Sequence, residues 1–439
     1  MINKVKLVQS QRLNLLKKFF RKILQNSFIK VLSENGIISI AGSILTMIST
    51  KVVALIIGTS GVAMIGQLQN FIQISTLISN GGFNQGVTKY IAEDKDDEKS
   101  LLKIIGTAFI ALFITTILAT ITILIFSRLI TLKIFTSNTY VSIIIIFAFT
   151  LIFHNLNSLI LAIVNGFQDY SKFFKIKVTT TIVGFALTTT FVLIFNEYGA
   201  LLAIVLSQSV VCVFAYFYIK NEIWIKAFLF KYFSRQKLLL LLKYTAITVF
   251  AAAIWPVVRL SIRTYVINNI SAEEAGLWQA TANLNQYIVN IAIGSFSVYL
   301  LPKLSSITNK NKLIKELIGI YKIIIPITII GFTAIYLLRD YVIILLYSKE
   351  FLKVGHYLLL QMVGSFFWMC KVPIMNYLLA KAHTNIYMIN ELIFALIYVL
   401  LSMFFIPKYE VQGIQLSFAI YNFLYFITNI VLVRKLINM

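Results

Sequence analysis

The sequence predicts an all-α polytopic membrane protein of about twelve transmembrane helices in two pseudo-symmetric six-helix lobes. Composition is the first ground: of 439 residues, 59% are hydrophobic and 13% charged, whereas soluble domains run at roughly 45–50% apolar and about 25% charged. The second is a succession of apolar runs bounded by charged or turn residues. The third is an internal repeat at a fixed offset of 210 residues. A mean hydropathy of +0.87 excludes an ordinary cytosolic enzyme and a disordered chain alike.

A spanning helix needs about 20 predominantly apolar residues. Such runs fall at 36–57, 63–84, 104–126, 141–164, 176–195 and 199–219, and again at 244–266, 277–300, 321–338, 356–380, 387–406 and 412–433. The second and eighth are rich in Gln and Asn. The expected organisation is a basic cytoplasmic tail (1–35), an N-terminal lobe (36–219), a cytoplasmic linker (220–243), a C-terminal lobe (244–433) and a short cytoplasmic end (434–439). About 35 residues precede the first apolar run and no small-residue cleavage site follows it, so it reads as a retained span. Cys212 and Cys370 both lie inside apolar runs, which leaves no disulfide framework or cysteine metal site.

The net charge of +23 would suggest nucleic-acid binding in a soluble chain. Here its distribution along the chain explains it. With the N-terminus inside, 29 Lys and Arg fall on cytoplasmic segments and six on external loops. That bias is the positive-inside pattern and places both termini in the cytoplasm. In the tail, Lys17, Lys18, Arg21, Lys22 and Lys30 alternate with Leu16, Phe19, Phe20, Ile23 and Phe28. This fits a basic amphipathic helix on anionic lipid, and equally a plain positive flank.

The repeat joins the second and eighth spans. Gly66 maps to Gly276, Gln69 to Gln279, Gln73 to Asn283, Thr76 to Gln286 and Asn80 to Asn290. Within each helix the polar positions share one face at the helical period. Carboxamides in hydrocarbon need other helices or water. Matching stripes in two halves therefore point to a shared wet cavity, with interhelical hydrogen bonding as the plainer alternative. Duplicated halves with a site between them are a recurring plan in transporters.

Four cations fall deep inside spans, away from their ends: Lys51, Arg259, Arg263 and Lys371. Arg259 and Arg263 are one turn apart, where like charges repel. Each intramembrane charge costs at least ~2.5 kcal/mol, so such a pair calls for an anion or water. A guanidinium fork suits phosphate oxygens. Pro256 and Pro373 are expected to bend the helices near Arg259 and Lys371. Lys51 and Lys371 could alternatively snorkel to an interface. Glu391 is the one acid clearly inside a span; it suits a proton or Na⁺ site, or a helix N-terminal acid. Gln415, Asn422 and Asn429 add a polar face on the last span, and His154 reads as a packed polar residue. The three histidines lie far apart in sequence and support no metal site.

The stretch Gly81-Gly-Phe-Asn-Gln-Gly-Val-Thr-Lys-Tyr-Ile-Ala-Glu93 resembles the Wzx family of polysaccharide flippases, as do Gly58-Thr-Ser-Gly61 and Asn165-Gly-Phe-Gln-Asp-Tyr170. The first of these is especially similar to flippases of O-antigen and enterobacterial common antigen (lipid III) units. The family belongs to the multidrug/oligosaccharidyl-lipid/polysaccharide (MOP) exporter superfamily. The resemblance implies a V-shaped bundle in the bacterial inner membrane that moves undecaprenyl-pyrophosphate-linked oligosaccharide from the cytoplasmic to the periplasmic leaflet. It implies basic residues on spans one and seven for the pyrophosphate, matched by Lys51, Arg259 and Arg263; the intramembrane Lys371 adds a fourth cation to that expected site, and the stripe residues Gln69, Gln73, Asn80, Gln279, Asn283 and Asn290 would hydrogen-bond sugar hydroxyls. By analogy with a sodium site in a lipid II flippase, it assigns Na⁺ or H⁺ coupling to Glu391. No other cofactor and no catalytic residue are expected. The partners implied are the lipid-linked substrate, membrane lipid, a polysaccharide polymerase and a chain-length regulator.

Two rivals stand beside this reading. A multidrug antiporter of the same superfamily would want acids for cationic drugs, yet the spans hold four bases to one acid. A polytopic polymerase or ligase would usually carry a large external loop, whereas the longest here runs only from Arg339 to Gly355.

Overall fold

The structure, a computed structural model, describes residues 27–94, 97–228, 230–306, 309–381 and 383–438, and within them the chain is helical with no strand. Of the basic tail, Lys17, Lys18, Arg21 and Lys22 lie outside the described residues, as does the side chain of Lys30. In hydrocarbon a backbone must satisfy its own hydrogen bonds, and these apolar runs do so as helices. Side chains such as Leu118, Ile125, Leu193, Ile330 and Leu400 face outward, as a lipid-facing surface requires. Polar caps close helix ends outside the apolar zone. Asp97 accepts from the Ser100 amide at 3.1 Å, Asp169 from the Lys172 amide at 3.0 Å, and Asn309 from the Asn311 amide at 2.9 Å.

Three very long helices are each two spans joined at one non-helical residue. Ser27–Ser79 breaks at Gly58 (φ 65°, ψ −163°), Tyr170–Ile219 at Asn196 (φ 51°, ψ −128°) and Thr384–Asn438 at Glu410 (φ 51°, ψ −133°). The remaining long helices are Glu98–Ile125, Val141–Gly166, Arg235–Asn269, Ala272–Ser306, Lys310–Leu337 and Val354–Ala380. Together they match the twelve-span pattern, and the spans keep their sequence numbering below.

The duplication extends beyond the stripes. Asn196 and Glu410 hold nearly the same unusual backbone conformation between the last two spans of each half. Short helices, Ser127–Phe135 and Arg339–Leu346, follow the third and ninth spans. Helices run past the ends of the apolar runs, from Ser27 at the first span and to Asn438 at the last. The linker of 220–243 ends early, because span seven already begins at Arg235 and Leu241 joins the N-terminal lobe's core.

The cores show how the lobes meet. At the Gly58 end, one cluster takes Val53, Ile57 and Val62 from the N-terminal lobe together with Ile262, Trp278 and Tyr347 from the C-terminal lobe. At the opposite end the cores are separate: Val87, Ile104 and Ile163 sit in one lobe, Leu317, Ile374 and Val433 in the other. Among the described residues, the cluster that joins the two lobes lies at the Gly58 end.

Candidate functional site: the cleft between the lobes

A cavity of about 350 Å³ lies between spans one, two, five and six of the N-terminal lobe and span eight of the other. Its polar lining is hydroxyl and carboxamide: Thr46, Ser49, Thr50, Gln69, Thr180, Thr181, Thr188, Ser207, Gln279 and Asn283. The two stripes supply Gln69 from one half and Gln279 and Asn283 from the other. Gln279 donates to Asn283 Oδ1 at 2.7 Å, which holds the C-terminal stripe in register.

Arg263 lies behind this lining and reaches the cavity through Gln279. It is 2% exposed, donates to Gln279 Oε1 and lies 5.2 Å from the ring centre of Trp278. Its Nε and Nη1 have no hydrogen-bond partner. Burying unpaired donors of a charged group costs several kcal/mol, roughly 1–3 each for ordinary groups and more for ions. Arg259, one turn away, is exposed. Neither guanidinium forms an ion pair with a carboxylate among the described residues.

Contacts between the lobes surround this point. A Cβ on Gly66 would stand 2.6 Å from Gln279 Oε1 and 2.8 Å from the Arg263 guanidinium carbon, so a methyl there would push the ends of these two side chains aside. Gln67 donates to Thr264 Oγ1 at 3.1 Å, and the hydroxyls of Thr50 and Tyr287 are 3.0 Å apart. The Lys51 ammonium donates to the carbonyl oxygens of Ile344 and Tyr347, at the end of the short helix Arg339–Leu346. Cations at a helix C-terminus are favourable, and here the contact also latches one lobe to the other.

The predicted site residues thus fall into separate groups. Gln69, Gln279 and Asn283 come together at the cavity, Arg263 is bonded to Gln279, and Arg259 stands one turn from Arg263 and outside the lining. Lys51 is engaged in the latch rather than turned to the cleft. Gln73 is exposed and outside the cavity lining. Asn80 is 8% exposed and accepts from the Gly82 amide at 2.8 Å, shaping the turn at the end of span two. The side chain of Asn290 lies outside the described residues.

Lys371 and Glu391 are neighbours in a separate place, inside the C-terminal lobe. The Lys371 ammonium lies 4.1 Å from the ring centre of Tyr425 and 5.1 Å from that of Tyr421. The Tyr425 hydroxyl donates to Glu391 Oε1 at 3.2 Å, and Trp255 Nε1 to Glu391 Oε2 at 2.9 Å. One tyrosine therefore bridges cation and anion, the ring serving one and the hydroxyl the other. His154 is packed, its Nε2 3.1 Å from the Val205 carbonyl.

Sequence reasoning missed Gln67, Thr264, Tyr287, Trp255 and Tyr425. Gln67 is fully buried but sits one residue off the stripe, on another helical face. The others are aromatic or hydroxyl residues whose significance comes from partners more than a hundred positions away or on another helix.

The architecture is that of the MOP superfamily. A multidrug-resistance MATE transporter of that superfamily in its inward-facing conformation superposes with a TM-score of 0.77 at 15% identity, covering 90% of this chain and 94% of that one. The outward-facing conformation of a MATE transporter gives 0.64 at 16% identity (95% and 97%). The lipid II flippase MurJ, inward closed, gives 0.71 at 16% identity (91% and 87%). Residues 24–308 match the polysaccharide biosynthesis protein family, and the chain belongs to it. The lipid III flippase of Escherichia coli (strain K12) is 24% identical over 378 residues, 86% of this chain and 91% of that protein.

Proposed function

We propose that this protein is a flippase for lipid-linked oligosaccharide, carrying an undecaprenyl-pyrophosphate-linked glycan across the inner membrane by alternating access. The observation that carries the reading is Arg263: a buried guanidinium with two unpartnered nitrogens, bonded to Gln279 in the wall of a cavity lined by hydroxyls and carboxamides. Pyrophosphate would satisfy the guanidinium as no neutral solute could. Sugar hydroxyls match the stripes. The polyprenyl tail can stay in lipid, since only the polar head is costly to move through hydrocarbon.

In this reading the positive-inside bias sets both termini in the cytoplasm, so the sealed Gly58 end faces the periplasm and the splayed end faces the cytoplasm. The cleft is then in its loading state. Rocking of the lobes would break the latch around Lys51 and Arg263 and seal the other end. Of the candidate cargoes, an O-antigen repeat unit is the first choice. Similarity to a lipid III flippase supports the enterobacterial common antigen unit as the second. A polymerase and a chain-length regulator would act on the delivered units.

Proteoliposomes preloaded with one lipid-linked unit test the class. The expected result is unchanged units that become accessible to an external glycosidase only when the protein is present. Elongated glycan would instead mean polymerisation, and inaccessible units alongside extruded cationic dye would mean a drug antiporter.

A further inference from the structure

The motifs around residues 81–93 and 165–170 do not contribute to the central cavity, yet they meet in space. After span two the chain turns through Gly81 and Gly82, both left-handed at φ 59° and 64°, and starts the short helix Phe83–Glu93. That helix presses on the end of span four so tightly that a Cβ on Gly166 would come within 3.0 Å of the Thr88 carbonyl oxygen. Asn84 Nδ2 donates to Ser158 Oγ at 2.6 Å and Thr88 Oγ1 to the Ala162 carbonyl at 2.9 Å, fixing the helix in place. Beyond this seam the chain enters span five, which carries Lys177.

These elements enclose a second cavity of about 480 Å³ at the splayed end of the N-terminal lobe. Lys89 and Lys177 line it along with Asn84, Gln85, Ser158 and Asn165, and no acid is in the lining. Lys89 is engaged at the groove's exposed rim by Glu93 at 3.8 Å, with its ammonium 5.1 Å from the Tyr90 ring centre. Lys177 packs against Phe173, its ammonium 5.7 Å from the ring centre. Two cations and several amide and hydroxyl groups around one hollow make a receptor for an oxyanion.

Position identifies which one. Lys177 is seven residues into helix Tyr170–Ile219, about 10 Å from its start at 1.5 Å per residue. Lys177 thus stands at the edge of the run 176–195 expected as span five, where a spanning helix passes from hydrocarbon to headgroups. One turn further along the same face is Thr181, which lines the central cavity. With the membrane placed by that run, the groove would open near lipid phosphates, one helical turn along span five from the cleft.

We propose that this groove is a phosphate-binding site for lipid headgroups, which receives the pyrophosphate of the cargo before it reaches Arg263. The assignment of the cargo rests on the flippase reading; the binding of a lipid phosphate does not. The test uses full-length protein in nanodiscs of phosphatidylcholine, with a short-chain prenyl pyrophosphate as probe and Lys89→Gln/Lys177→Gln as the variant. Binding should weaken about tenfold per lysine removed, with the thermal midpoint unchanged. Unaltered affinity would overturn the proposal. So would an equal loss in a control variant, Lys408→Gln, far from the groove. Competition by phosphatidylglycerol as strong as by prenyl pyrophosphate would support a resident phospholipid as the occupant. Preference for prenyl pyrophosphate would support the cargo. Failure of wild-type protein to flip lipid-linked glycan would refute the flippase reading while leaving this binding result standing.

Discussion

Gly66 and Arg263 face each other across the lobe boundary, and a methyl group on the glycine would overlap the guanidinium carbon at 2.8 Å. Gly66 belongs to the repeated stripe of span two; Arg263 belongs to the cationic pair of span seven. The closed end of the molecule is thus built where the two sequence features touch.

Gly66→Ala should wedge this contact. Overpacking of a close interface typically costs about 1–3 kcal/mol, and here the lobes can relieve it by separating. A cysteine placed at Thr50 should react with a membrane-impermeant maleimide from the Gly58 side several-fold faster in the alanine background. An unchanged labelling rate would mean that the contact is not part of the seal.

Lys51→Met should act in the same direction by another route. It removes two bonds to the carbonyls of Ile344 and Tyr347 and leaves those oxygens to water. Charge-assisted bonds are each worth about 1.5–3 kcal/mol, so the latched state should lose a large part of its population. Spin labels on spans one and nine, read by pulsed distance measurement, should report a longer second population. A single unshifted distance would contradict the latch.

The fold was almost fully legible in the sequence, because lipid imposes length, apolarity and charge asymmetry on each span separately. The site was legible only in part. Arg263, Gln69, Gln279 and Asn283 declare themselves by being polar where polarity is costly. The grouping of the cations was not available, since Lys51, Lys371 and Arg263 look alike along the chain. Only the packing tells that the first meets helix carbonyls, the second a tyrosine face and the third a carboxamide. Asn196 and Glu410 were likewise silent, as nothing in their type announces a shared left-handed break.

Lys371 and Glu391 should behave as a coupled pair. Removing one buried charge strands the other at roughly 3–5 kcal/mol. Lys371→Met and Glu391→Gln should each lower the thermal midpoint in detergent markedly. The double variant should recover part of the loss, giving a coupling of about 0.5–3 kcal/mol in the mutant cycle. Strict additivity would show that Tyr425 does not link them.

Outside the membrane, Asp94 accepts from Ser100 and from Lys237 Nζ at 2.9 Å, and these two hydrogen bonds hold its carboxyl below the usual carboxylate range. A depressed folded value stabilises the folded state above the unfolded value, near ~3.9, and that gain is lost as pH falls through the folded value. The pair is partly exposed, so the gain is at most about 1 kcal/mol. Asp94→Asn should therefore lower the thermal midpoint slightly at pH 7, and the gap to wild type should close below about pH 4. A gap that widens in acid would contradict the sign.

The central claim is that the paired guanidiniums are there for a diphosphate. The most direct measurement is translocation of a lipid-linked oligosaccharide by proteoliposomes holding equal amounts of wild type, Arg263→Lys, or Arg259→Gln/Arg263→Gln protein. The account predicts loss of at least about tenfold in rate for the double variant, one charge-assisted contact's worth, with partial retention for lysine. Wild-type translocation by the double variant would contradict it.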